Sequence, residues 1–164
     1  MRSLTLCTLL AAGVASFGAA QERPGNGFGV GVMVGEPTGL SLKKWIRDDR
    51  ALDAGIAWSF SGSDSLHLHA DYLVHRFDLL SGPAAKGRMP LYFGLGARVK
   101  LHGDDNGKGR DDGDARVGVR APLGITYLFD DAPFDLFVEV VPVLDLVPDT
   151  DVDLNAAIGA RFYF

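Results

Sequence analysis

Ser65, His67, His69, Asp71 and His75 occupy alternate positions of SLHLHADYLVH. In an extended chain alternate residues project from one face, so these five side chains would stand together. Two imidazoles two residues apart on a strand can share a metal ion, but a site needs three or four ligands and an oriented second shell. The one cysteine, Cys7, is far off in the chain, and no metal or cofactor is assigned. Ser65 beside His67 suggests acyl hydrolysis, which needs a nucleophile, a base and an orienting carboxylate in mutual reach. Nothing in the sequence fixes that geometry, and the chain is read as a non-enzyme. Histidines hydrogen-bonded in a polar interior remain.

A second cluster, HGDDNGKGRDDGD, holds Asp104, Asp105, Asp111, Asp112 and Asp114. It approaches the calcium-loop pattern D-x-[DN]-x-[DN]-G. Counted from Asp104, however, the fifth position is Lys108, which offers no oxygen ligand. The stretch reads as an exposed loop over 102–114, weakly associated with divalent ions at most and placed to meet an extracellular partner.

The elements that position these residues are strands. Period-two alternation covers Phe28–Val34, Leu40–Lys43, Leu52–Phe60, Leu66–His75, Leu91–Lys100, Arg116–Tyr127, Phe134–Val141 and Val152–Phe164, eight strands in all. EPT (36–38), RDDR (47–50), SGSD (61–64) and DDAP (130–133) are compact turns; FDLLSGPAAKGRM and HGDDNGKGRDDG are longer connections. Such a chain predicts an all-β, eight-stranded, antiparallel up-and-down barrel. Pro122 and Pro142 remove ladder donors and predict irregular pairing.

Which face is inside decides the class of function. A soluble lipocalin-like carrier would turn its apolar face inward; a membrane barrel turns it to lipid. The non-apolar face carries Gly29, Gly31, Gly55, Gly94, Gly96, Gly118, Gly124 and Gly159, which make room in a crowded interior. Aromatics gather at strand ends: Phe28, Phe93, Tyr127, Phe129, Phe134, Phe162 and Phe164 near one rim, Trp58 and Phe60 near the other. Lys44, alone in charge on the lipid-side register, sits where it can snorkel. The membrane arrangement is expected. Lys43, Arg98, Arg120 and Arg161 would then share the lumen with Asp53, Asp71, Glu139, His67 and His69, filling it with mixed charge. The turns place Lys43 opposite Asp53, Asp71 diagonal to Asp53, and Glu139 near Arg161. A gated narrow pathway for ions or small solutes is the alternative.

The 164 residues suit one domain. Arg2, the apolar run from Leu4 to about Val14, and small residues before Gln21 form a secretory leader over 1–20, leaving the barrel domain at 21–164. No later run has the length of a spanning helix. Net charge is −5, or −6 without Arg2, and no basic patch suits nucleic acid. The last strand, LNAAIGARFYF, must pair with GFGVGVMVG to close the cylinder.

GVGVMVGEPTGLSLKKW, LHLHADYLVH, VGVRAPLGITYLF, FVEVVPVLDLVP and AIGARFYF together resemble a family of small, uncharacterised bacterial outer-membrane β-barrels, similar in size to the OmpA transmembrane domain. The resemblance implies a monomer in outer-membrane lipid. It also implies Tyr163 and Phe164 as the terminal signal read by the barrel assembly machinery, and it supplies no catalytic residue. Some outer-membrane barrels deacylate lipid with Ser and His, so Ser65 and His67 carry the enzymatic alternative.

Overall fold

The computed structural model describes residues 27–59, 65–80, 87–102 and 115–164. The expected leader, the SGSD turn and the loop beyond His102 lie outside the described residues. Strands dominate: β1 (Phe28–Glu36), β2 (Thr38–Arg47), β3 (Arg50–Ser59), β4 (Ser65–Arg76), β5 (Gly87–Arg88), β6 (Leu91–His102), β7 (Ala115–Arg120), β8 (Leu123–Phe129), β9 (Phe134–Val147) and β10 (Asp151–Tyr163). Every pairing is antiparallel.

Ten segments replace the eight expected, and prolines explain the difference. Pro122 separates β7 from β8, yet both pair with β6 and with β9 in a register that continues across the proline, with one shift on the β9 side between Val117 and Gly118. Pro90 separates β5 from β6 in the same way, and β5 simply prolongs the pairing of β6 with β8. Proline has no N–H to give a ladder, so each interruption is local. Carbonyls still accept across both gaps: Gly94 N–H donates to Pro122 O at 2.9 Å, and Thr126 N–H to Pro90 O at 3.1 Å. Pro142, by contrast, lies inside unbroken β9.

The pairings close on themselves. β10 pairs with β1 on one side and β9 on the other, so the ring has eight positions. A row of partners from Gly29 passes through Lys43, Asp53, Asp71, Gly96, Arg120 and Val143 to Asp153. Gly29's own partner on β10 is Tyr163, ten residues beyond Asp153. That stagger requires strands tilted to the barrel axis.

Alternation decides what lies where, and the order is the reverse of a water-soluble protein. Along β9, Leu136, Val138, Val140 and Leu144 are exposed, while Asp135, Phe137, Glu139, Val141, Val143 and Asp145 are buried. The same inversion exposes Val32 and Val34 on β1, Leu52, Ile56 and Trp58 on β3, and Leu154 and Ile158 on β10. Phe134, Phe162 and Phe164 stack edge to face at 5.0 Å on the outer wall of one end. Glycine on the inner face admits the large side chains. A Cβ on Gly159 would strike the Phe137 ring, and one on Gly96 would strike Asp71.

Candidate functional site: a charged and filled lumen

The interior has a floor, a middle and a mouth. The floor lies at the end carrying Phe28 and Phe164. There Trp45, Ala51 and Leu128 pack together, with Phe77 and Tyr163 against them. Lys43 stands over this floor, its Nζ 4.7 Å from the centre of the Trp45 ring and 5.3 Å from that of Tyr92. Its ammonium donates to His75 Nε2 at 2.8 Å. An ammonium can only donate, so this ring nitrogen is the acceptor and the His75 proton sits on Nδ1. The His75 ring is wedged between Trp45 at 4.4 Å and Tyr92 at 5.3 Å.

Arg161 organises the next level. It reaches Asp53 through Nη2 at 2.5 Å, Ser41 Oγ through Nε at 2.8 Å, and lies 3.6 Å from Asp135. Its guanidinium also covers the Phe137 ring at 3.8 Å. Asp135 accepts from the Tyr163 hydroxyl as well. All of these groups are buried apart from Tyr163, which is partly so. One planar cation with five donors can satisfy several acceptors at once, which a lysine could not do. Around it Met33, Ala57, Leu73, Tyr92, Phe137 and Ala157 form an apolar cluster inside the lumen.

Arg120 repeats the theme one step towards the mouth. Its Nε is 3.1 Å from Asp71 and its Nη2 3.7 Å from Glu139, and Glu139 also accepts from the Tyr92 hydroxyl at 2.9 Å. At the mouth Arg98 makes a two-pronged contact with buried Asp145, at 3.0 and 2.8 Å, and a third bond to half-exposed Asp153 at 3.0 Å. Arg116 lies 3.8 Å from Asp145 and 3.3 Å from Asp151. Between the middle and the mouth, near the Glu36–Pro37 turn, is a cavity of about 10 Å³ lined by His69, Arg120, Glu139 and Asn155. That is room for about one water. Nδ1 of His69 and both amide atoms of Asn155 have no hydrogen-bond partner among the described residues.

Each residue read as part of a lumen network is on the inner face: Lys43, Asp53, His67, His69, Asp71, Arg98, Arg120, Glu139 and Arg161 are all buried. Two expected neighbourhoods are corrected, and the third, Lys43 opposite Asp53, holds in the register. Asp71 pairs directly with Asp53, not diagonally, because the β3–β4 register places His69 opposite Gly55. Glu139 is opposite Ala157, and Arg161 is opposite Asp135, so Arg161 serves Asp53 and Asp135 while Glu139 falls to Arg120. Lys43 is opposite Asp53, but its amine meets His75. Sequence reasoning missed Asp135, Asp145, Tyr92 and Asn155 as members. Asp135 and Asp145 begin and end an alternation already visible in FDLFVEVVPVLD, and extending the period outward would have found both.

Ser65 Oγ is 3.2 Å from His67 Nε2. Both are buried on the inner face, while the neighbouring Leu66 and Leu68 face outward. Among the described residues no group of three or more His, Cys, Asp and Glu could hold a metal.

Comparison with known proteins places the fold and no more. No family model matches the chain, and no curated protein does. Among solved structures, the N-terminal β-barrel domain of Pseudomonas aeruginosa OprF is similar, with a TM-score of 0.61 over 85% of this chain and 98% of that one. Identity is 16%, so the likeness is one of architecture.

Proposed function

We propose that this chain is an exported, monomeric outer-membrane β-barrel with a filled polar lumen, serving a structural or surface-contact role. The observation that carries the reading is the inversion of its two faces. Four cations and five carboxylates are buried (Lys43, Arg98, Arg120 and Arg161 with Asp53, Asp71, Asp135, Glu139 and Asp145), while valine, leucine, isoleucine and phenylalanine cover the wall. In water this arrangement would bury charge and expose an apolar band at once, each at a cost of several kcal/mol by the usual order of magnitude. In a bilayer the band meets lipid, and the closed ladder leaves the backbone satisfied. Tyr163 and Phe164 would present the last strand to the barrel assembly machinery. The mouth, where β6 ends and β7 begins, would face the outside of the cell, and the 102–114 stretch that joins them would be the point of contact with an extracellular partner. Catalysis plays no part.

Two measurements test this. Folded protein from an outer-membrane fraction should migrate differently on a denaturing gel before and after boiling; a soluble protein with no shift would favour a carrier. Inserted into a planar bilayer, the wild type should give no unit conductance steps, because buried side chains fill the floor and the middle and the cavity beside Arg120 and Glu139 has room for about one water. The second reading, a narrow channel, is favoured only by the unpartnered His69 and Asn155 atoms beside that space. Reproducible conductance altered by Glu139→Ala or Arg120→Ala would establish it.

A further inference from the structure

The outer wall is not uniformly apolar. On the described strands, cations enter the outward register at four places: Lys44 and Arg47 on β2, Arg50 at the start of β3 and Arg76 at the end of β4, with Arg47 brought opposite Arg50 by the irregularity after Trp45. Lys44 pairs with Leu52, Arg50 with Val74, and Leu52 with Tyr72. Lys44 is therefore diagonal to Arg50, and Arg50 to Arg76, with Cα atoms roughly 7–8 Å apart at each step. The ten-residue stagger around eight positions tilts the strands in the sense that brings this diagonal close to one level. All three belong to the end that carries Phe28 and Phe164.

The surroundings suit a headgroup zone. Tyr72, an outward aromatic 39% exposed, accepts a hydrogen bond from Arg50 Nη1 at 3.1 Å. Tyrosines at that depth mark the boundary between hydrocarbon and water. Asp49 lies 3.6 Å from Arg50, and Asp78 takes two bonds from Arg76, at 3.1 and 2.9 Å. Those bonds hold the exposed Asp78 carboxyl below its usual range. A guanidinium has five donors, so each arginine keeps donors for a second anion. At the mouth Asp151 and Asp153 share the inward register of Asp145 and Val143 and are held by Arg116 and Arg98, and no cation takes the outward register there among the described residues.

We infer that Lys44, Arg50 and Arg76 form a docking surface for anionic phospholipid headgroups in the leaflet at the Phe164 end. The inference rests on the membrane reading proposed above. Their fork-shaped and ammonium donors fit phosphate oxygens, and the β2–β4 side of the wall thereby differs from the β9–β10 side, where Phe134, Phe162 and Phe164 stand at the same end. The occupant is phospholipid and not the phosphorylated glycolipid of an outer leaflet, because these cations stand at the end opposite the mouth, which the proposed orientation turns to the outside of the cell.

The test is native mass spectrometry of the folded protein released from mixed phosphatidylglycerol and phosphatidylcholine nanodiscs, with gel migration as the control for folding. Wild type should retain phosphatidylglycerol about tenfold over phosphatidylcholine, and Lys44→Gln/Arg50→Gln/Arg76→Gln should lose that preference. Arg50→Lys/Arg76→Lys should keep most of it. Should the triple variant fail to fold, Arg76→Gln alone is expected to lower the preference about threefold. Equal retention of the two lipids by wild type, an unchanged preference in the variants, or, in nanodiscs to which lipid A is added, stronger retention of lipid A through the same residues would each overturn the inference. Failure of wild type to insert into any bilayer would overturn the membrane reading, and is recognised separately by the absence of a heat-dependent shift.

Discussion

The floor and the mouth of the lumen are built from the same residue types and behave differently. At the floor and the level next to it, charge is enclosed by rings: Lys43 lies against Trp45 and Tyr92, and Arg161 covers Phe137. At the mouth, Arg98 and Arg116 share Asp145, Asp151 and Asp153, and the last two are partly exposed to solvent. Aromatic enclosure excludes water and makes each ion pair depend on its own partner, whereas a hydrated cluster can redistribute its bonds. The floor is thus the seal and the mouth is the adaptable end.

Substitutions that remove a partner should break this contrast in graded steps. Arg161→Ala is expected to cost most, about 4 kcal/mol in urea unfolding of the vesicle-inserted protein, because Asp53 and Asp135 are left buried without their cation. Trp45→Ala should cost about 3 kcal/mol and remove the lid over Lys43, so that conductance steps absent in wild type appear in a planar bilayer. Arg98→Ala should cost about 2 kcal/mol, since Arg116 remains 3.8 Å from Asp145 and Asp153 can turn to water. Asn155→Leu should change stability by less than about 1 kcal/mol, because its amide has no protein partner to lose. If Arg98→Ala proved as costly as Arg161→Ala, the mouth would be as rigidly enclosed as the floor, and the distinction would fail.

Much of the architecture was legible in alternation alone, because a strand's period of two leaves one binary choice: which face is inside. Glycines opposite large residues answered it. Gly159 receives Phe137 and Gly96 receives Asp71. The prolines at 90 and 122 disturbed the strand count without disturbing register. Less of the lumen network was legible. Pairing across β9 and β10 depends on the length of their connection, and a shift of a few residues exchanges the partners of Glu139 and Arg161. Contacts across the lumen, such as Arg98 with Asp145 or Arg161 with Asp53, join strands that are not neighbours, and no local spacing encodes them. The Lys44–Arg50–Arg76 diagonal needed the register as well.

The most direct test of an outward apolar face is a cysteine scan along β9, from Phe134 to Asp145, in vesicles. Cys7, the one native cysteine, lies in the segment read as a leader. A fluorophore attached at each position would be challenged with a quencher carried on the lipid tails. Quenching at 136, 138, 140 and 144, with little at 137, 139, 141 and 143, is the expected pattern. Quenching at the odd positions instead, or labelling of 136–140 by water-soluble reagents with no effect of lipid quencher, would contradict it.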